Sequence, residues 1–133
     1  MNLRIAILIC AFFFLSSSCK KDDTKASETP VHGSISLEVH AIHHTWDVSG
    51  IVYYLKKNVT EFPGRDSTLY DIFAQADGYG KYTFEKLFPG NYYLFASGYD
   101  AYFGAHVFGY APVILDAAHV SDNHATLTIY VSE

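Results

Sequence analysis

Two stretches hold the side chains whose types and spacing could do chemistry. His40-Ala41-Ile42-His43-His44 packs three imidazoles into five residues. Neutral imidazole nitrogens suit Zn, Cu or Ni. On a strand His40 and His44 would share one outer face, which makes them the metal-ligand candidates. The simpler expectation is a polar strand exit beside Thr45, Trp46 and Asp47. The second stretch is Gly98 to Tyr110, GYDAYFGAHVFGY. It reads as the connection after a strand. Tyr99, Asp100, Tyr102, Phe103 and His106 form the candidate ligand-binding set there, because rings beside a carboxylate can stack on a sugar or grip a peptide. The competing expectation, which a small all-β domain's need for large apolar side chains favours, is that the rings of this stretch, Phe108 and Tyr110 included, cap the core at one end.

Much other chemistry is excluded. There is no Gly-rich phosphate loop, no Ser nucleophile elbow and no suggestive carboxylate pair. Asp71 and Asp77 flank a strand and its turn, where solvation and turn chemistry explain them. No catalytic set is found and no cofactor is implied. Both cysteines, Cys10 and Cys19, lie in the first nineteen residues. From Val31 onward there is none, so disulfides, thiol catalysis and cysteine metal sites are excluded there. That segment carries five Lys or Arg against eleven Asp or Glu, a balance of −6. An acidic domain without a basic patch is not a nucleic-acid binder, since neutralising phosphate supplies most of that affinity. Anionic lipid would also repel it.

The elements that must position these residues read as strands. Ile35, Leu37, Val39 and Ala41 alternate with Ser34, Ser36, Glu38 and His40, a half-buried strand. Ile51, Tyr53 and Leu55 face inward in the next, which Lys56 and Lys57 close in water. Pro63-Gly64 marks a turn. Leu69 to Ala76 is a third strand, Asp77 to Gly80 a turn, and Lys81 to Phe84 a fourth strand. Leu87 to Asn91 is a turn, followed by Tyr92 to Ser97 with Tyr92, Leu94 and Ala96 on one face. Gly109 to Leu115 and Ala125 to Val131 complete the set, with Leu127, Ile129 and Val131 inward. About seven short strands in roughly 100 residues, with no amphipathic helix, predict an all-β antiparallel sandwich. One domain spans residues 31–133.

The N-terminus has a different build. Met1 to Arg4 carries one positive charge, Ile5 to Leu15 is unbroken apolar sequence, and Ser16-Ser17-Ser18 precedes Cys19. This is the plan of a secretory signal peptide. The apolar run is about half of the ~20 residues that a spanning helix needs. A cysteine directly behind small residues resembles a bacterial lipoprotein signal, with residues 1–18 as a helical signal segment. Leu15 stands four places before Cys19, one further than the usual box. The resemblance implies cleavage between Ser18 and Cys19, lipid on Cys19, and anchorage by acyl chains, each buried methylene adding ~0.8 kcal/mol. Lys20-Lys21-Asp22-Asp23 resembles the short lysine-acidic export tag of surface lipoproteins in one Gram-negative lineage. It implies the bacterial outer membrane, with the outward face as the tag's destination. Residues 19–30 then form a polar tether.

Gly80-x-Tyr82-x-Phe84-x-x-Leu87-x-Pro89-Gly90-x-Tyr92-x-Leu94 is similar to the signature of prealbumin-like, carboxypeptidase regulatory-like sandwiches, an Ig-like architecture. Gly33-x-Ile35 and Gly50-Ile51-Val52-Tyr53 fit the same pattern. The resemblance implies that Tyr82, Phe84, Tyr92 and Leu94 fill the core. Two enzyme classes share this fold. One, the hydroxyisourate hydrolases, ends in Tyr-Arg-Gly-Ser, whereas this chain ends Tyr130-Val131-Ser132-Glu133. The other, the intradiol dioxygenases, binds iron with a His-x-His pair that this chain lacks. The expectation is a lipid-anchored, non-catalytic module that binds a glycan, peptide or envelope partner. The alternative is a structural accessory lipoprotein of a larger outer-membrane assembly, and the third reading is a histidine metal-binding module.

Overall fold

The computed structural model describes residues 33–133. The signal segment with its expected helix, Ser18, Cys19, the Lys20-Lys21-Asp22-Asp23 tag and the tether to residue 30 lie outside the described residues. The sequence pattern becomes a two-layer sandwich of eight strands. They are β1 Ile35–His43, β2 Trp46–Asp47, β3 Val52–Lys57, β4 Ile72–Gln75, β5 Lys81–Leu87, β6 Gly90–Asp100, β7 Ala105–Leu115 and β8 His124–Val131. Among the described residues the one helical turn is the 3-10 segment Ser67–Leu69, capped by the Asp66 side chain.

The first sheet is built around β1. One edge of β1 pairs with β5 over Ile35–His40 and then with the two-residue β2 at Ile42 and His43. The other edge pairs with β8 from Ser36 to His43. That pairing is parallel, a departure from the all-antiparallel expectation. It arises because the first and last described strands run side by side, joined through the whole intervening sandwich and not by a hairpin. The second sheet has the order β4-β3-β6-β7, all antiparallel. Reciprocal backbone bonds between Phe108 and Ser132, 2.8 and 2.9 Å, join the two sheets at one corner.

The alternation along β1 is strict: Ile35, Leu37, Val39, Ala41 and His43 are buried and the residues between them half-buried. A slip of one residue would turn the four apolar side chains outward, and burying each large one contributes about 1.5–3 kcal/mol. They meet Ile51, Tyr53, Leu55, Tyr92, Leu94, Ala96, Val107, Val113 and Leu115 of the opposite sheet. The Tyr53 hydroxyl, within this core, donates a 2.6 Å bond to the Gly80 carbonyl, which also accepts from Ala41 N–H at 3.0 Å. Gly80 holds φ +69, and a Cβ there would lie 2.9 Å from the Val48 carbonyl oxygen. Glycine is required on both counts.

Four local expectations change. Leu69, Tyr70 and Asp71 precede the strand that begins at Ile72, because Asp66 bonds Thr68 and nucleates the 3-10 turn instead. Residues 87–91 are not all turn: β5 runs on to Leu87 and β6 starts at Gly90, so Phe88 and Pro89 alone carry the chain from one sheet to the other. Tyr82 is not core: β5 is an edge strand, and the ring sits 37% exposed at its rim, edge-on to Phe84. Gly98 to Tyr110 is not a long connection. β6 runs on to Asp100 and β7 starts at Ala105, leaving a four-residue turn.

Candidate binding site at the hairpin tips

β1 runs from Ile35 at one end of the sandwich to His43 at the other. Two tight turns meet at that far end: His44-Thr45 between β1 and β2, and Ala101 to Gly104 between β6 and β7. His44 takes φ +56 to make the first turn in two residues. Asp100 builds the second. Its Oδ1 accepts from Tyr102 N–H at 2.9 Å and from Phe103 N–H at 3.4 Å, and its backbone carbonyl accepts from Gly104 N–H at 2.8 Å.

The two turns are joined by a buried pair. His43 Nδ1 lies 2.9 Å from Asp100 Oδ2, and the two residues are 3% and 5% exposed. Burial alone would raise the Asp100 pKa. The His43 bond and the two turn N–H groups outweigh it and hold the carboxyl below its ordinary range. An ionised carboxylate only accepts, so Nδ1 carries the proton. Nε2 has no partner among the described residues. No side-chain nitrogen or oxygen among them is both fully sealed and without a partner, so Nε2 keeps a narrow opening in a residue that is 3% exposed.

Two rings pack on His43. Phe103 meets His43 edge-on at 5.0 Å and His44 at 4.9 Å, and His44 lies 4.4 Å from His43. Trp46 stacks on Tyr102 with centroids 5.3 Å apart. Trp46, Tyr102 and Phe103 are 54, 72 and 41% exposed, so these rings do not cap the core from within.

The structure divides the sequence candidates. Asp100, Tyr102 and Phe103 belong to the tip. Tyr99 and His106 do not: they face each other across β6 and β7, edge-on at 5.1 Å, on the outer face of the second sheet. Strand alternation turns Tyr99 away from the buried Asp100 beside it. His40 and His44 are not brought together either. His40 Nε2 lies 2.7 Å from Asp47 Oδ1, while β1 ends at His43 and His44 turns toward Phe103. No three potential metal-ligating side chains cluster among the described residues.

The fold is similar to part of a pilin subunit. The major pilin subunit of Bacillus cereus, BcpA, superposes with a TM-score of 0.50 at 14% identity over 74% of this chain. A variant of the same subunit gives 0.51 and 14% over 76%. The chain spans 30% of the pilin subunit's length. At this identity the likeness is one of fold. No family model and no curated protein matches the chain.

A second aromatic arrangement lies on the outer face of the second sheet. Tyr93 and Phe95 point outward from β6, yet they are 9 and 3% exposed. The segment between β3 and β4 straps over them. Its Phe62 stacks on Tyr110 at 4.4 Å and also packs on Tyr93 and Phe95. Tyr70 stacks on Phe95 and donates to the Gly64 carbonyl at 2.8 Å, and the Arg65 guanidinium sits 3.5 Å over the Phe108 ring. Burial, with the nearby Tyr93 phenol, pushes Tyr70 up to about 12.

Sequence reasoning missed His43, Trp46 and this strap. A signal for Trp46 was present, since it is the only tryptophan of the chain. The His43–Asp100 pairing left none, because the two stand 57 residues apart.

Proposed function

We propose that this chain is a surface lipoprotein, held at the outer membrane by lipid on Cys19, whose sandwich is a non-catalytic binding or adhesion module working through the hairpin tips. One observation carries the reading: the exposed Trp46-Tyr102-Phe103 cluster lies at the end opposite to the one where the chain enters β1. β1 has nine residues, so at about 3.3 Å per residue the tip stands roughly 30 Å from the entry point. A tether from Cys19 joins at the entry end and presents the tip outward. The chemistry on offer at the tip, ring faces and one imidazole nitrogen, is that of contact. The pilin-like fold agrees with a module displayed on a surface.

Three of the four sheet edges, all but β8, favour this over an accessory subunit built in by strand addition. Phe108 N–H points away from β6, toward Ser132, so Pro112, four residues on, lacks the donor that would face a new strand on β7. β5 is bent by a bulge where Lys86 takes φ +59, and β4 is four residues long. Such features blunt an edge.

Two measurements on intact cells test the reading. Labelled fatty acid should enter the wild-type chain and not Cys19→Ser, which should leave the membrane fraction. Cells displaying the chain should adhere to mucin, collagen or fibronectin coatings more than cells displaying Tyr102→Ala at equal surface level. Equal adhesion of the two, or a membrane-bound Cys19→Ser, refutes the corresponding half.

A further inference from the structure

We infer that the tip binds a neutral saccharide, with a pyranose face stacked on the exposed rings of Trp46 and Tyr102 and one hydroxyl hydrogen-bonded to His43 Nε2. The inference rests on the tip being the binding end of the module. It follows from what the tip offers and what it withholds. It offers ring faces that are already fixed, because Trp46 and Tyr102 pack on each other and are not free to fold into the core. The negative face of an aromatic ring attracts the weakly positive C–H face of a sugar ring. It also offers one free ring nitrogen. Asp100 accepts from Nδ1, which leaves Nε2 of His43 as the polar atom that a ligand hydroxyl, able to donate or accept, can meet.

What is withheld narrows the ligand. The turns 44–45 and 101–104 contain no Lys or Arg, so nothing there would hold an anion. The Asp100 carboxylate is engaged by three donors and sealed from solvent, so it does not draw a cation to the surface. Asp47, the other carboxylate nearby, is paired with His40. Peptide binding by strand addition needs free backbone groups, and the N–H groups of Tyr102, Phe103 and Gly104 are all taken by Asp100. A flat, uncharged, hydroxyl-bearing ring matches the remaining features.

Trp46 is the only tryptophan, so its emission reports on the tip directly. The full-length protein in detergent is titrated with manno-, cello-, chito- and galacto-oligosaccharides of five or six units. At least one should shift or quench Trp46 emission saturably below about 10 mM. Tyr102→Ala should weaken that binding about 10-fold and His43→Asn about 5-fold. The Asn amide nitrogen takes the place of Nδ1 toward Asp100 but supplies nothing at Nε2. Both variants should keep the wild-type far-UV circular dichroism spectrum. No saturable change with any of the four series, or binding that both variants retain, overturns the inference. Periodate, which cleaves vicinal diols, separates it from the reading beneath it. Adhesion that needs Tyr102 but survives periodate treatment of the mucin coat refutes the saccharide and leaves the tip module standing. Adhesion indifferent to Tyr102 removes both.

Discussion

Replacing Asp100 by Ala removes the one acceptor that both closes the β6–β7 turn and ties it to β1. Three contacts go: His43 Nδ1 and Tyr102 N–H, each at 2.9 Å, and the weaker Phe103 N–H at 3.4 Å. The turn N–H groups are on exposed residues and recover water, so each loses only the net value of a hydrogen bond, about 0.5–1 kcal/mol. His43 is 97% buried and does not recover it, leaving a polar group unpaired at about 1–3 kcal/mol. The total is about 3 kcal/mol, or a fall in Tm of roughly 15 °C for a domain of this size. Asp100→Asn behaves differently. Its amide oxygen still serves Tyr102, and its NH2 faces a histidine that is free to move its proton to Nε2, so the cost is about 1 kcal/mol and near 5 °C. Thermal unfolding followed by circular dichroism and by Trp46 emission at pH 7 measures both. Acid adds a further arm. The folded pKa of Asp100 lies below its ordinary 3.8, so its contribution is fully present above 3.8 and is lost as pH falls through the lower folded value. The Asn variant should lack that part of the acid limb. Equal Tm values for the Ala and Asn variants, or an Ala variant within 1 °C of wild type, would refute the account.

Three further outcomes follow from the fold. Tyr53→Phe should cost only about 1 kcal/mol in denaturant unfolding, because the Gly80 carbonyl keeps its bond from Ala41; a loss above about 3 kcal/mol would mean that the oxygen is orphaned. Phe62→Ala should uncover Tyr93 and Phe95, giving new binding of an apolar dye and faster proteolysis between β3 and β4, with the Trp46 tip unchanged; an unaltered cleavage pattern counts against the strap. Tyr70 should titrate near 12 by absorbance, against an ordinary 10.0, and its share of stability should be complete below pH 10 and disappear as pH rises to about 12; a Tyr70→Phe variant that loses stability over that window just as wild type does would contradict it.

Where one face of a strand is dry and the other wet, the pattern was legible. The inward sets Ile35-Leu37-Val39-Ala41, Ile51-Tyr53-Leu55 and Tyr92-Leu94-Ala96 are all buried as the alternation predicts. Around Gly98 to Tyr110 it was not legible, for a physical reason. The outer face of the second sheet is itself covered, so Tyr93, Phe95, Phe108 and Tyr110 are aromatic where an open sheet would be polar. With rings on the outer face and Gly98, Asp100 and Gly109 at inward positions, the contrast of apolar inside and polar outside is lost, and the ends of β6 and β7 look like a loop. The all-β class of residues 33–133 survived that local ambiguity because it rests on all the strands together.

Local order decides what can be read from one chain: strand period, turn residues, charge balance and the lack of cysteine beyond Cys19 are properties of neighbours in sequence, and the sequence alone determined them. The site is a property of neighbours in space. His43 and Asp100 become one buried pair, and Trp46 and Tyr102 one exposed stack, only because β1 and β6 end together at the same end of two packed sheets. Which of five candidate side chains point to that end was settled by the parity of β6, where one residue separates the outward Tyr99 from the buried Asp100.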